Sequence, residues 1–560
     1  MKSWFKSGAP WIWLNGGAVT ISIIMVVGLL MLIGVRGLSH FWPASIVEVT
    51  VTERDGTERV VMGELVRSQL IATSVAEDSG IVLPEGFESA SGLIERFLFK
   101  QGNRDVYGRD FVWYPEIGMS EFRYPRDAVS LERREWGDFF GYPVRILENN
   151  EVVVEGGDAI WDEIDARIDR TLRLHREIRG IERGVIGEIN YQLEQLRLTE
   201  RRMDLNPDRF PPDVRADEDA RIALERERLN EEFGVLRAEL DQLYATMNRD
   251  TLIARTADGQ EVRISFGQIV RATRANDMGL FAKLGEYAYR FWDFVSGEPR
   301  EANTEGGIFP AIFGTVVMVM VMSIIVTPFG ILAAIYLREY AKDGPLLRVI
   351  RISVYNLAGV PSIVYGVFGL GFFVYIMGGS IDRMFYPEAL PAPTFGTPGL
   401  IWASLTLALL TLPIVIVSTE EGLARIPSSV RHGSLALGAT KSETLWKVVV
   451  PLATPAMMTG LILAIARAAG EVAPLMLVGV VKLAPTLPVD GIFPFIHLER
   501  KIMHLGFHIF DVGFQSPNVE AARPLVYATA LVLVVLIVVL NLTAISIRNR
   551  LRERYKSESD

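Results

Sequence analysis

Six stretches of this chain, about 14–35, 309–337, 350–377, 400–418, 453–481 and 525–547, are apolar over the length a helix needs to cross hydrocarbon, roughly 20 residues. Inside a bilayer the backbone finds no water to bond, so a stretch of this kind has one stable form, a continuous helix. That confines the chain to the α-helical polytopic membrane proteins, with six spans. The first stretch has an apolar run of ~22 residues, longer than the 7–15 of a secretory signal, which predicts a retained anchor.

Lys and Arg beside the span ends set the orientation. Lys2 and Lys6 precede the first span, and Arg338, Lys342, Arg348 and Arg351 separate the second from the third. Arg425, Arg431, Lys441 and Lys447 separate the fourth from the fifth, and Arg548, Arg550, Arg552, Arg554 and Lys556 follow the sixth. With six spans all four groups fall on one side, expected to be the cytoplasm of a bacterial inner membrane. Residues 1–13 and 549–560 are then cytoplasmic, and 36–305 are periplasmic.

The 36–305 block holds 52 Asp and Glu against 36 Lys and Arg, in a chain of 560 residues whose formal charge is −10. So acidic a surface argues against nucleic-acid binding. The absence of cysteine excludes disulfides and thiolate metal sites. The six histidines lack paired ligand spacing, and no glycine-rich loop ends in Gly-Lys-Ser/Thr, so neither a cofactor nor ATP hydrolysis is expected of this chain.

Within the block, Val47, Val49 and Val51 alternate, turn at Asp55-Gly56 and resume at Val60-Val61, a hairpin signal. Thr256–Arg271 has a similar pattern, closing on GQIVR where the first closes on GELVR. The two pair across the domain base, reflect a duplication, or match by chance. Leu229, Phe233, Leu236, Leu240, Leu243 and Met247 step by four and three, a heptad seam. A looser seam runs from Trp161 to Leu196, broken by Gly180, Gly184 and Gly187, and the prolines at 207, 211 and 212 mark a reversal. An antiparallel coiled-coil hairpin over about 158–248 is expected inside an α+β periplasmic domain, either a docking arm or a supporting strut. Gly102–Gly108 has the composition of a structured loop.

Between the fourth and fifth spans, 430–451 reads VRHGSLALGATKSETLWKVVVP. Small residues, Gly438, nine residues and then Val448-Val449-Val450-Pro451 resemble the cytoplasmic coupling loop of ABC importer permeases, E-A-A-x-x-x-G-x9-I-x-L-P. Further stretches, including GGIFPAIFGTV (306–316), TPFGILAAIYLREYA (327–341), YNLAGVPSIVYGVFG (355–369), LTLALLTLPIVIVSTEEGL (405–423) and ILAIARAAGEVAPLMLVG (462–479), resemble the phosphate-specific permeases of the PstA type in their order. The resemblance implies a type I ABC importer permease core over 306–548, with coupling loop 419–452. Its ATPase-facing residues would be His432, Gly433, Ser434, Ala436, Gly438, Ala439, Lys441, Val448 and Pro451. His432 stands where the motif has glutamate, so the docking acid is missing.

Arg467 and Glu471, four apart on the expected fifth span, can pair on one helix face. Charges there are costly and rarely face lipid. One reading makes Arg467 an oxyanion contact oriented by Glu471, since a guanidinium fork fits phosphate; the other is a structural ion pair. Asn356, Ser362 and Tyr365 on the third span, and Thr411, Ser418 and Thr419 on the fourth, either line the path or pack helices closely.

The resemblance implies a non-enzymatic permease subunit of an ATP-driven phosphate importer. Its implied partners are a second permease of PstC type, a dimeric ATP-binding subunit, a periplasmic phosphate-binding protein and the lipid bilayer. A permease for molybdate or sulfate, or a scaffold or mechanotransmitting protein working through its coiled coil, are the alternatives.

Overall fold

The computed structural model describes residues 7–52, 56–78, 92–516 and 519–557. Lys2, Lys6 and Asp55 lie outside the described residues. The chain divides into two compact units, one formed by 1–40 with 308–560 and the other by 41–307.

The 41–307 unit carries one strand plan twice. In the first sheet β1 (Ile46–Thr52), β2 (Glu58–Ala72), β3 (Leu93–Lys100) and β4 (Phe111–Pro115) form an antiparallel meander. A 3-10 turn, Glu116–Gly118, then sends β5 (Met119–Arg123) back to pair with β1. The second sheet repeats this with β6 (Val129–Arg133), β7 (Phe139–Glu148), β9 (Asp250–Arg255) and β10 (Glu261–Ser265). After the 3-10 turn Phe266–Gln268, β11 (Ile269–Thr273) pairs with β6. A meander whose fifth strand returns to the first is the strand order of SH3-like barrels. Inward-facing Val47, Val49, Val51, Val61 and Phe99 fill the first core, and Leu131, Phe139, Ile146, Leu252, Ile264 and Phe266 the second. Asn276 clasps the two, accepting from the Ile46 amide at 3.0 Å and donating to the carbonyls of Ile46 and Pro125.

The strand plan is therefore repeated, but not in the register of the GELVR and GQIVR matches. Those lie in β2 and across the turn into β11, which occupy different sheets and do not pair with each other. The corresponding strands are β1 and β6, whose sequences differ too much to reveal it.

The helical hairpin is inserted after β8 (Glu151–Glu155), which pairs with β7, and before β9. Its arms are Ala159–Gly180 continued by Ile186–Leu205, and Pro212–Met247. The second arm has 36 residues, a length of about 54 Å at 1.5 Å per residue. Ile178, Leu240 and Met247 share a buried seam, while Arg226 to Glu200 at 2.7 Å and Tyr244 to Glu182 at 2.7 Å bridge the arms. The first arm's seam looks broken because a π turn over Ile181–Val185 adds a residue and rotates Val185 outward.

Asp250, fully buried where the second arm re-enters the sheet, fastens the hairpin's foot. Arg249 Nε donates to it at 2.8 Å, and Arg167 and Arg170 form ion pairs with it at 2.9 and 2.8 Å. Burial alone would raise its carboxyl pKa; the Arg249 hydrogen bond and the charges of Arg170, Arg249 and Arg167 outweigh it and hold it below the usual range.

In the other unit, six helices among the described residues are long and apolar enough to cross a membrane: Trp11–Ser39, Phe309–Tyr340, Ser362–Phe385, Leu400–Ala424, Lys441–Gly470 and Ala522–Arg550. The fourth span is the hub, its Trp402, Ala403, Leu407 and Val415 buried with Met318, Met322 and Val326 of the second and Ala464 and Ala468 of the fifth. Ser404 donates to the Met318 carbonyl and the Thr411 hydroxyl lies 3.5 Å from Met322 Sδ, so the second and fourth spans run parallel. Gly422 faces Ala456 while Gly460 faces Ser418, so the fourth and fifth run antiparallel. A Cβ at 460 would lie 2.7 Å from that of Ser418, a separation only glycine permits.

Two spans, the third and the fifth, depart furthest from their expected bounds. The third apolar stretch, 350–377, is not one helix: Pro345–Leu357 is separate and amphipathic, and the span itself is Ser362–Phe385. Pro361 lacks an N–H and its ring would strike the Leu357 carbonyl, which the Tyr365 hydroxyl takes instead at 2.6 Å. The fifth span begins at Lys441 and stops at Gly470, short of 481. Pro451 therefore sits within a continuous helix rather than opening one, and the π turn Leu445–Val449 before it relieves its clash with the preceding turn.

Replacing Asp250 with alanine removes the buried carboxylate that Arg167, Arg170 and Arg249 share and should cost roughly 3 kcal/mol, as for other broken buried pairs. Denaturant titration of the purified chain, following the 41–307 unit, measures it. Because the native carboxyl pKa is depressed, this stabilisation is present above the unfolded value near 4 and disappears as pH falls through the lower native value; the alanine variant should lack that acid limb.

Candidate functional site

Two places bring chemistry-bearing residues together: the loop between the fourth and fifth spans, and the far end of the fifth span.

Pro427 opens the short helix Ser428–Ala436. Gly438, at φ +88°, ends it in the left-handed conformation that glycine adopts without strain. Thr440 then caps the fifth span with a reciprocal pair: its hydroxyl accepts from the Glu443 amide at 3.2 Å, and Glu443 Oε2 accepts from the Thr440 amide at 3.0 Å. Glu443 is thus a capping residue. Ser434 meets the Thr444 hydroxyl at 2.9 Å, tying the loop's two arms.

Arg431 anchors this loop to the bundle. It donates to Glu339 at 2.8 Å and to the carbonyls of Ile426 and Leu423 at 2.7 and 2.8 Å. Lys441 Nζ reaches the Glu339 carbonyl at 2.6 Å, and Arg351 bridges Glu420 and the Leu337 carbonyl, both at 3.1 Å. The end of the second span, the Pro345–Leu357 helix, the end of the fourth span and the start of the fifth are latched at one end of the bundle. Arg548 of the sixth span reaches Thr459, within the fifth span, at 3.4 Å.

Of the loop residues named from sequence, His432, Gly433, Ala436, Gly438 and Lys441 are exposed, and Ser434, Ala439, Val448 and Pro451 are half-buried. Sequence reading missed Arg431 and Glu339 as a pair, since a salt bridge 92 residues apart leaves no local signal. It also missed Leu437, which is 91% exposed at the tip, and Trp446, 52% exposed beside it. An apolar residue directly before a turn glycine in an otherwise polar loop was the available clue.

At the other end, Arg467 lies in the last turn of the fifth span and Glu471 is the first residue beyond the helix, in extended conformation. The pair forms all the same, Arg467 Nε to Glu471 Oε1 at 3.4 Å, with Arg467 a third exposed. From Val448 to Arg467 the helix climbs about 28 Å at 1.5 Å per residue, so Arg467 lies at the opposite end of the fifth span from the loop. The segment after Glu471 packs against the third span, where Pro474 closes on Gly366, and the Arg467 charge acts on neighbouring Tyr365.

The other path residues separate into two groups. Asn356 is exposed on the Pro345–Leu357 helix, outside the third span altogether. Ser362 is the first residue of the third span, and Tyr365 is committed to the Leu357 carbonyl. Thr411 and Thr419 are fully buried; Thr411 donates to its own helix at the Leu407 carbonyl and Ser418 packs on Gly460. The Thr411 hydroxyl is used within its own helix, the buried Thr419 hydroxyl has no hydrogen-bond partner among the described residues, and Arg467 with Glu471 is the charged pair among the path residues named from sequence.

The model of the family described as binding-protein-dependent transport system inner membrane component matches residues 326–557. The phosphate transport system permease protein PstA of Yersinia pestis is 32% identical over 252 residues, 45% of this chain and 75% of that protein. PstA of Mycobacterium leprae is 38% identical over 199 residues, 35% of this chain and 60% of its own length. PstA 1 of Mycobacterium tuberculosis is 37% identical over 175 residues, 31% of this chain and about half of that protein (52%). Among solved structures, an inward-facing MetNI methionine ABC transporter chain is 18% identical, with 46% of this chain and 96% of that chain covered, at a TM-score of 0.31.

Arg431 makes three hydrogen bonds from a charged group, each worth about 1.5 kcal/mol or more. Arg431→Ala should therefore raise amide hydrogen exchange across 428–436 at least roughly tenfold, leaving 400–418 unchanged; mass-spectrometric exchange on the full chain measures this.

Proposed function

Because the chain belongs to the PstA family of phosphate transport permeases, we propose that it is one of two membrane subunits of an ATP-driven importer of inorganic phosphate. The observation carrying this reading is the latched loop: Arg431 and Glu339 bind it to three spans, while Leu437 and Trp446 stand exposed as a knob for another protein. A loop fixed so firmly at its base and so open at its tip suits the transfer of force from outside the chain.

The occupant of that knob is a cytoplasmic ATPase dimer. The basic groups that border the loop favour the cytoplasm for this end; Lys441 and Lys447 give it a positive rim, and His432 stands where the family motif has an acid. ATP-driven closure of the dimer draws this loop toward that of a second permease of PstC type. The latch carries the movement into the second and fourth spans, and the bundle opens outward. Phosphate arrives from a periplasmic binding protein, and nucleotide hydrolysis returns the bundle to its inward form.

Arg467 is the oxyanion contact at the outer entrance to the path. Its fork matches two phosphate oxygens, and Glu471 holds the guanidinium while lowering its net attraction, so that phosphate is captured but not retained. Thr411, Ser418 and Thr419 tighten the helix crossings that must slide, rather than touching the substrate.

Transport by the reconstituted complex tests the assignment. Arg467→Ala should reduce uptake of labelled phosphate at least about 100-fold, as expected for loss of a charged contact worth ~3 kcal/mol, with the partner subunits still co-purifying; Arg467→Lys should retain part of it. Unlabelled phosphate should compete and molybdate and sulfate should not. Normal uptake in the alanine variant would remove Arg467 from the path, and competition by sulfate or molybdate alone would reassign the substrate.

A further inference from the structure

The Leu280–Ser296 helix, LFAKLGEYAYRFWDFVS, is amphipathic with its faces reversed. Its charged face turns inward. Arg271 of β11 pairs with Glu286 at 3.3 Å and Asp293 at 3.2 Å, and Arg290 bonds Glu286 at 2.8 Å and the Thr273 hydroxyl at 3.2 Å. Glu286, Arg290 and Asp293 are spaced by four and three, one stripe of a helix. On the opposite side Phe281, Leu284, Ala288 and Trp292 form a second stripe that none of the described residues covers. Phe281 is 88% exposed and Trp292 66%. A soluble domain gains nothing from such an arrangement, since it burdens the helix with exposed apolar area.

Two covalent tethers say what lies against this stripe. Phe41 and Trp42 follow within three residues of Ser39, where the first span ends. Phe41 is buried against the rings of Tyr287, Phe291 and Phe294 at 6.2, 5.3 and 5.2 Å, and Trp42 lies 6.2 Å from Tyr287. Just past the helix's C-terminus, Gly297 packs on Gly307, two residues before the second span opens at Phe309. At ~3.5 Å per residue, each tether spans less than about 11 Å. Both tethers meet the C-terminal half of the helix, which therefore stays within a short chain length of the two span ends, at the depth where tryptophan and tyrosine are favoured.

We propose that the Leu280–Ser296 helix is an interfacial membrane anchor, lying in the headgroup region with Phe281, Leu284, Ala288 and Trp292 dipped into the outer acyl boundary. A helix with a large apolar face and low overall hydrophobicity binds lipid in this posture. Lipid there relieves the exposed apolar area, and the Arg271 pairs keep the helix rigid on the second barrel. The anchor gives the 41–307 unit a lipid contact of its own, besides its covalent connections to the two spans.

The chain's lack of cysteine makes the test direct. The single substitutions Phe281→Cys, Ala288→Cys and Trp292→Cys are labelled with bimane in the full chain. Leu224→Cys and Val235→Cys, at exposed apolar positions on the coiled coil, are the controls. The protein is then placed in phosphatidylglycerol–phosphatidylethanolamine nanodiscs, with unchanged circular dichroism as the folding check. Lipid-borne nitroxide should quench the three helix labels at least about twofold more than the controls, and aqueous iodide should show the opposite order. Helix labels quenched by iodide like the controls would mean a water-exposed face. Helix labels shielded from both quenchers would mean that protein, a second copy or another subunit, covers it. Either result overturns the anchor.

Discussion

A backbone in hydrocarbon must satisfy every one of its own hydrogen bonds, and the membrane unit follows from that requirement. Each span is helical because no alternative exists there, and every irregularity is displaced to an end or repaired in place. Where Pro361 frees the Leu357 carbonyl, the Tyr365 hydroxyl takes it. Where Pro451 would strain the fifth span, a π turn absorbs it. Small residues at the crossings, Gly460 on Ser418 foremost, bring backbones close enough for packing alone to hold helices that lipid does not push together.

With the spans so fixed, the polar chemistry collects at the two ends. One end is a latch: Arg431, Glu339, Lys441, Arg351 and Glu420 join the second, fourth and fifth spans and the Pro345–Leu357 helix. The other carries Arg467 and Glu471 where the fifth helix stops. Leu437 at the loop tip is joined to the second and fourth spans through Arg431, whose three hydrogen bonds reach Glu339, Leu423 and Ile426. The fifth span connects the two ends without interruption from Lys441 to Gly470, which makes it the rod between the knob and the arginine.

Much of this was legible in the sequence. Hydropathy located all six spans, because twenty apolar residues in a row leave one reading. The heptad of Leu229, Leu240 and Met247 and the prolines at 207, 211 and 212 located the hairpin, because periodicity and proline sterics act locally. What stayed hidden was long-range. The tandem barrels share topology rather than sequence, so the short GELVR and GQIVR matches pointed to the wrong pairing. Asn356 was placed in a span because the hydropathy of 350–377 hides the break at Pro361. For Thr411 and Thr419 the sequence left path lining and helix packing both open, because a hydroxyl in a span has the same letter in either role; the structure shows Thr411 bonded to its own helix. The Arg431–Glu339 pair, which fixes the loop, joins residues with no local relation at all.

The sidedness of the chain is the most direct test of the account. Leu437→Cys and Leu224→Cys, as separate single variants of the full chain, are exposed to a membrane-impermeant maleimide in right-side-out and inside-out vesicles. The account predicts that the thiol at position 437 reacts only in inside-out vesicles and the thiol at position 224 only in right-side-out ones. Reaction of both from the same side would contradict it, since the force-receiving loop and the barrel domain would then share one face of the membrane.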